Sequence, residues 1–333
     1  MLLTRKREGT AQNALSANAK RGLVPLVGGQ PECGIGFQKT LRGQLANIEA
    51  KQRAAILLDP GAIQVACGVL GLDFYRLTRV LGNRIDRFWE YADAACLEKR
   101  NAPVAQRADG FFEFFFAETG RKICIDSPRI RTLSEVFFIQ NYAALEPAGE
   151  RVLDLGANVG DTAIYFMCKG AKYVYALEPY PKNCRRALQN IQRNGMGEQI
   201  KVINAGISRV EGEVLLDPEF HSDPRNDLKK FDKGVTVKLQ TIGRLVDEYG
   251  LKNAVLKLDC EGAEVGAILE SGRETLRAFK RIIMEYHHGY MDLKDKLESA
   301  GFYVKLLGNA RIGYNQFLEA PVHIYGMLCA WRK

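Results

Sequence analysis

Acidic residues stand at the ends of apolar runs in this chain, and that placement is where its chemistry can be read. Val152-Leu153 runs into Asp154, followed by Leu155-Gly156-Ala157-Asn158-Val159-Gly160-Asp161-Thr162. Tyr173–Leu177 runs into Glu178-Pro179, and Ala254–Leu258 runs into Asp259-Cys260-Glu261-Gly262-Ala263-Glu264. A fourth run, Arg281–Met284, ends in Glu285, with His287-His288 just beyond it. Each run has the length and apolar character of a buried strand. Ligands in open α/β sheets bind beyond the carboxyl ends of the strands. The acids therefore converge on one crevice if the runs form one parallel sheet.

The first segment reads as strand, glycine turn and helix start. A dinucleotide fold would carry G-x-G-x-x-G, with a pyrophosphate on the helix N-terminus. Here the spacing is Gly156-x-x-x-Gly160, with Asn158 in place of the middle glycine. Asp154 and Asp161 flank the loop. Two carboxylates repel a pyrophosphate and attract a cation. S-adenosylmethionine carries an ammonium and a sulfonium, so it is the cofactor this loop suits. Gly156 and Gly160 let the backbone turn tightly and approach a ligand closely. Ala157 lies between them, and Asp161, beside Thr162, is placed to cap the next helix. Glu178 is placed to accept ribose hydroxyls, with Pro179 beside it. Ala205-Gly206, expected just after a third strand over 200–204, leaves room for an adenine ring.

Methyl transfer from a sulfonium is an in-line displacement, so donor and acceptor must be held in contact. A hydroxyl acceptor must also lose its proton to a base. Asp259, at the end of its strand, faces the donor methyl in this topology and is the first choice as base, acceptor anchor or cofactor contact. A cap on the following helix is the bland alternative. Of Glu261 and Glu264, one can orient the acceptor while the other complements the helix dipole. Asp259, Glu261 and Glu264 are also an oxygen set of the kind that holds divalent cations. The displacement needs no metal, and none is expected. His287 and His288 suit a general base because imidazole titrates near neutral pH; otherwise they are an exposed loop pair. Lys257, inside its strand, can reach the sheet edge to pair with an acid and is given no catalytic part.

The elements that must position these residues alternate regularly from Arg151 onward. Strand patterns at 152–155, 173–177, 200–204, 254–258 and 281–285 are separated by helical patterns. Repeated β-then-α units imply a doubly wound α/β domain with a parallel sheet. Two closing strands, 302–307 and 322–328, have no helix between them and should form an antiparallel hairpin. Runs at 212–216 and 235–239 read as an excursion around the polar loop 217–233. Upstream, Phe111, Phe112, Phe114, Phe115 and Phe116 precede Glu118-Thr-Gly-Arg121 and Lys-Ile-Cys-Ile125, a β-hairpin whose aromatics belong in a core. Leu41, Leu45 and Ile48 mark one amphipathic helix, stopped by Asp59-Pro60. Phe74, Leu77, Leu81, Ile85 and Phe88 mark a second, over 73–91. These two helices could cover the substrate side of the main domain, join two copies into a homo-oligomer, or simply pack against the domain edge. Residues 1–37 are expected to be a disordered basic arm, 38–130 a helical extension plus hairpin, and 131–333 the catalytic domain.

Bulk properties narrow the partners. The chain has 333 residues and a formal charge of +8. Residues 1–53 hold nine Lys/Arg against three Asp/Glu, a net of +6, which leaves only +2 for the rest. The basic excess therefore belongs to the arm containing Arg5-Lys6-Arg7 and does not argue for a nucleic-acid partner. No apolar run reaches the roughly 18–20 residues of a membrane span. Eight cysteines are scattered with no C-x-x-C pair, which suits a reducing cytoplasm rather than a metal or disulfide framework.

On these residues the chain resembles the FkbM-type methyltransferases, a family of adenosylmethionine-dependent enzymes. The carriers are Val152 to Asp161, Ala176-Leu-Glu-Pro179 and Leu256-Lys-Leu-Asp-Cys-Glu-Gly-Ala-Glu264. Ser134-Glu-Val-Phe137 and Met284-Glu-Tyr-His287 add weaker support. The first two segments are shared by many methyltransferases, while Lys-x-Asp-x-Glu-Gly-x-Glu points to this family. The resemblance runs from about Arg131 to the C-terminus. It implies a seven-stranded, Rossmann-like class I methyltransferase sheet and methyl transfer, usually to oxygen, on small-molecule, glycan or lipid-linked acceptors. Two other readings remain open at this level. One is an RNA methyltransferase using the basic arm; the other is a non-catalytic module that binds the cofactor.

Overall fold

The computed structural model describes residues 104–106, 110–127, 130–216, 234–314 and 322–332. The basic arm, both N-terminal helices and the polar loop 217–233 lie outside the described residues. A three-stranded antiparallel sheet comes first: β1 (Val104–Gln106), β2 (Phe112–Phe116) and β3 (Arg121–Ile125). Its Phe-rich strand obeys the period of two. Phe114 and Phe116 are buried while Phe115 is exposed, so one face of the hairpin joins a core and the other meets water. The ring of Phe137 meets Phe114 and Phe116 edge-on at centroid distances of 5.0 and 5.6 Å. Phe137 comes from a helical passage made of α1 (Ile130–Leu133) and a π-helical turn over Ser134–Phe138.

The main sheet follows from β4 (Arg151–Leu155), β5 (Tyr173–Glu178), β6 (Ile200–Ile207), β7 (Gly212–Leu216), β8 (Val235–Gln240), β9 (Ala254–Leu258), β10 (Phe279–Tyr286), β11 (Tyr303–Tyr314) and β12 (Val322–Trp331). Their order is β11-β12-β10-β9-β4-β5-β6-β8-β7. The six central strands from β10 to β8 are mutually parallel. The two closing strands pair antiparallel, as the missing helix between them implies. Among the described residues the sheet therefore has nine strands where the resemblance implies seven. At one edge β7 pairs antiparallel with β8, and β8 docks on β6 through Ala205, Gly206 and Ile207. That docking also lengthens β6 beyond its expected end at 204, because β8 supplies backbone partners for three more residues.

Helices cover both faces: α2 (Asp161–Cys168), α3 (Pro181–Arg193), α4 (Ile242–Tyr249), α5 (Ala263–Leu269), α6 (Arg273–Arg277) and α7 (Met291–Ser299). Alternation along the strands feeds two separate cores. Leu153, Leu155, Leu256 and Leu258 point to one core with Ile268, Leu276, Leu293 and Leu297. Val152 and Val255 point to the other, with Ile164, Phe166, Ile191 and the buried residues of the Phe hairpin. Two asparagines fasten that hairpin to α3. Asn194 and Asn190 each bond both backbone groups of one β3-side residue, Cys124 and Asp126, at 2.8–3.1 Å. Spaced four apart on the helix, they imitate a neighbouring strand. The amide of Asn190 also donates to Val159 O at 2.8 Å, so the same helix braces the glycine turn. Among the described residues no helix is long and apolar enough to cross a membrane.

Candidate functional site

The glycine turn is shaped by what lies behind it. Gly156 has φ +78°, and a Cβ there would stand 1.9 Å from the carbonyl oxygen of Asp259. Glycine is needed at this point because the ends of β4 and β9 meet, rather than because a ligand approaches. At Gly160 (φ +81°) a Cβ would press on Ala187 of α3 at 3.1 Å. Ala157 is fully buried in the turn. Gly160 also serves as the N-cap of α2, with no side-chain cap. Asp161 is therefore the first helical residue, and the capping role expected of it is not what the structure shows.

Asp154 and Lys257 are register partners on β4 and β9 and so share one face of the sheet. Both are wholly buried, with Lys257 Nζ 3.0 Å from Asp154 Oδ1. Thr162 Oγ1 donates to Asp154 Oδ2 at 2.5 Å. Lys257 Nζ also donates to the carbonyls of Leu155 (3.2 Å) and Gly156 (2.7 Å). Burial alone would lower the lysine pKa, but Asp154 and Asp259 outweigh it and raise it. The ammonium thus binds the end of β4 and the first glycine carbonyl together. Asp154 and Thr162 are turned to this lysine and to each other.

Two acids remain around the turn. Asp161 is buried, and its Oδ2 has no hydrogen-bond partner. Burial, with Asp154 nearby, pushes its carboxyl up to about 7 against the opposing pull of Lys257. Glu178 is 4% exposed at the end of β5. Its Oε2 accepts from Asn158 N (2.9 Å), and its Oε1 from Tyr180 N (3.0 Å) and Asn183 Nδ2 (3.2 Å). Asn158 presents its N–H from the left-handed region, φ +47°, where asparagine is tolerated. Burial raises Glu178 to about 7 against these three donors. A carboxylate offers about four lone-pair sites, so one remains for a further donor. Pro179 follows directly. Ala205 and Gly206 lie within β6 rather than beyond it, and a Cβ on Gly206 would meet Leu239 Cδ2 at 2.9 Å. On that side Leu239 of β8 stands against Gly206.

The ends of β9 and β10 form the other side. Asp259 accepts a hydrogen bond from Tyr142 Oη at 2.8 Å on Oδ2; it does not cap α5, whose N-cap is Gly262. Glu264 is fully buried. Its Oε2 accepts from Gly262 N (2.8 Å), and its Oε1 accepts from His287 N (2.9 Å) and lies 3.0 Å from His287 Nδ1. It therefore ties the start of α5 to the end of β10 and fixes the imidazole. Burial would lower the pKa of His287, but Glu264 outweighs it, helped by Glu261 and Glu285, and lifts it to about 10. An imidazolium of that strength is a charged anchor and a poor proton acceptor at neutral pH. His287 Nε2 lies 3.6 Å from the Oε2 of Glu261, which is 45% exposed. Burial, with Asp259 nearby, lifts Glu285 to about 8. His288 takes φ +71° and faces Gly262, with its Nε2 3.2 Å from where a Cβ would be. Asp259, Glu285 and His287 each bring a ligand atom within 4.8 Å of the other two.

One functional candidate escapes sequence reasoning. Tyr142 precedes the short 3-10 turn Ala143–Leu145 and lies in no recognisable motif. Lys257 carries a readable signal, since a lysine inside a strand whose five residues are all buried requires a buried anion.

Residues 154–310 match the family model of the methyltransferase FkbM domain. The chain thus contains an FkbM methyltransferase domain, and S-adenosylmethionine is its methyl donor. No curated protein matches the chain in sequence. Similar solved structures include an FkbM methyltransferase from Methylobacillus flagellatus KT, at 18% identity over 54% of this chain and 43% of that one, TM-score 0.34. Another is precorrin-6y C5,15-methyltransferase from Geobacter metallireducens GS-15, at 13% identity over 59% and 88%, TM-score 0.35. A third is TrmK of M. capricolum in complex with S-adenosylhomocysteine, at 13% identity over 58% and 68%, TM-score 0.34. At such scores these likenesses carry no argument about the site.

Proposed function

We propose that the FkbM methyltransferase domain of this chain methylates a hydroxyl oxygen on a small-molecule, glycan or lipid-linked acceptor. The reaction lies across the carboxyl ends of β4, β5, β9 and β10. We read β4, β5, β6 and β9–β12 as the seven-stranded, doubly wound sheet of class I methyltransferases, with β7 and β8 added at one edge. The observation that carries the reading is a line of carboxylates. Glu178, Asp259 and Glu285 end or follow three strands of one parallel sheet, and Asp161 follows the fourth.

The residues fit the donor. Asp161 keeps a buried oxygen without a partner, which an ammonium satisfies in both charge and hydrogen bond. Glu178 retains acceptor capacity for a ribose hydroxyl, and Asn158, Gly160 and Pro179 frame the space between the two acids. Bound S-adenosylmethionine supplies a methyl group activated by its sulfonium. The remaining work falls to this chain's side chains. Lys257 keeps the glycine turn in place, Tyr142 orients Asp259, and Asp259 with Glu285 receives the acceptor. His287 holds the negative charge of that corner in balance, while Glu261 and His288 stand at the mouth, where an acceptor enters.

The test is a screen of hydroxylated metabolites and glycans with the full chain and S-adenosylmethionine, following release of S-adenosylhomocysteine. Turnover with a hydroxylated acceptor, lost in Asp259→Asn, is the expected outcome. Turnover with RNA and with none of the hydroxylated compounds would replace the reading.

A further inference from the structure

We infer that the acceptor side of this crevice is a divalent-cation site, with Asp259, Glu285 and His287 as its protein ligands and the acceptor oxygen completing it. The inference rests on the methyl-transfer reading above and deepens it. The acids of the 259–264 segment alone make an unconvincing cation set. The fold replaces two of them. Glu264 turns inward, Glu261 stays at the surface, and Glu285 and His287 arrive from the neighbouring parallel strand.

Geometry supports the site first. The three ligand atoms lie within 4.8 Å of one another. In an octahedral shell of about 2.1 Å radius, cis ligands stand about 3 Å apart and trans ligands about 4.2 Å. Small side-chain rotations close that difference. The scaffold is stiff, because Met284 and Leu258 are register partners at the ends of β10 and β9.

The outer partner of the histidine supports it next. His287 is 5% exposed, and its Nδ1 is held 3.0 Å from the buried Glu264 carboxylate. A metal-bound imidazole gives its other nitrogen to a carboxylate in this way, which fixes the tautomer and aims the ring. The other ring nitrogen, Nε2, lies 3.6 Å from Glu261 Oε2. Glu264 also holds the backbone N–H of His287, so ring and backbone are positioned by one group.

Charge points the same way. No hydrogen bond or ion pair joins the Glu285 side chain to any of the described residues, and Asp259 receives only the neutral Tyr142 hydroxyl. Lys257 is spent on Asp154 and two carbonyls. The cation beside these half-buried carboxylates is His287, and the metal ion would take the place of its ring proton. A divalent ion satisfies both at once. Two carboxylates and one imidazole suit Mg²⁺, Mn²⁺ or Zn²⁺.

The ion gives the reaction what His287 does not. A hydroxyl oxygen bound to it becomes more acidic, so its proton passes to the Glu261 carboxylate at the mouth. The oxygen then forms the new bond to the methyl carbon as the carbon–sulfur bond breaks, with no change of oxidation state.

The test uses the full chain and Mn²⁺ alone, read by the loss of the free-ion electron paramagnetic resonance signal. S-adenosylhomocysteine binding is measured on the same samples without Mn²⁺. Wild type should take up one Mn²⁺ per chain. Glu285→Gln, which keeps the side-chain size and removes its charge, should weaken it about tenfold or more and leave S-adenosylhomocysteine binding in place. Glu264→Gln should also weaken Mn²⁺ uptake, by freeing the imidazole. Mn²⁺ uptake without S-adenosylhomocysteine binding supports the cation site and removes the methyl-transfer reading. S-adenosylhomocysteine binding with no Mn²⁺ uptake at millimolar ion overturns the cation site, as does Mn²⁺ uptake unchanged in Glu285→Gln and His287→Asn.

Discussion

Replacing Lys257 by methionine should cost this fold more than almost any other single polar change. Both members of the Lys257–Asp154 pair are shut off from water, at 1% and 0% side-chain exposure, and the ion pair is 3.0 Å long. The substituted thioether would fill most of the volume but leave Asp154 with only the Thr162 hydroxyl. Breaking a buried pair from one side costs about 3–5 kcal/mol. Asp154 can escape part of that by taking a proton. At pH 7, holding a carboxyl of ordinary acidity protonated costs about 4 kcal/mol, which caps the loss near the same figure. Against a typical stability of about 5–15 kcal/mol, the variant is gravely weakened. The carbonyls of Leu155 and Gly156 also lose their donor, so cofactor affinity should fall with stability. Urea unfolding of wild type, Lys257→Met, Asp154→Leu and the double variant is the assay. The double variant should recover much of the loss, because no charge is left stranded. A single-variant loss under about 1 kcal/mol, or simple additivity in the double variant, would refute the reasoning.

Two further predictions concern the same corner. Gly156→Ala should fail to fold or lose several kcal/mol, since its Cβ would sit 1.9 Å from a backbone oxygen at φ +78°; soluble yield and thermal unfolding measure this. Asp161 has its folded pKa raised by burial to about 7, from about 3.9 in an unfolded chain. Its contribution to stability is therefore whole below about pH 4 and is lost as pH rises to about 7. Unfolding curves of Asp161→Asn and wild type should coincide most closely near pH 4 and diverge toward pH 8, with the variant the more stable. A gap that stays constant across that range would contradict the burial argument.

The strand-end acids are legible in the sequence because an apolar run that stops at Asp or Glu marks a strand leaving its core. What such a run does not encode is the direction in which the acid faces. Asp154 and Asp161 look equivalent along the chain, yet one meets Lys257 across the sheet and the other keeps an oxygen free. That distinction depends on β4 and β9 being neighbours, which is a property of strand order and not of either segment. The length of β6 is hidden for a related reason, since its last residues, 205–207, are held by β8 from some thirty residues away. Tyr142 reaches Asp259 across 117 residues, and no local pattern anticipates such a contact. The Glu264–His287 pair is visible only as two residue types, one in the first turn of α5 and one just after β10. Their shared hydrogen bonds require the fold.

The central claim is that the turn at 156–161 and Glu178 form the donor site, and calorimetry with S-adenosylhomocysteine tests it most directly. The full chain should bind one equivalent, and Glu178→Ala should reduce affinity at least about tenfold, the equivalent of about 1.4 kcal/mol. Glu178→Gln, which keeps part of the hydrogen bonding to Asn158 and Tyr180, should fall between the two, with circular dichroism unchanged. No binding by the wild type, or equal binding by wild type and Glu178→Ala, would contradict the account.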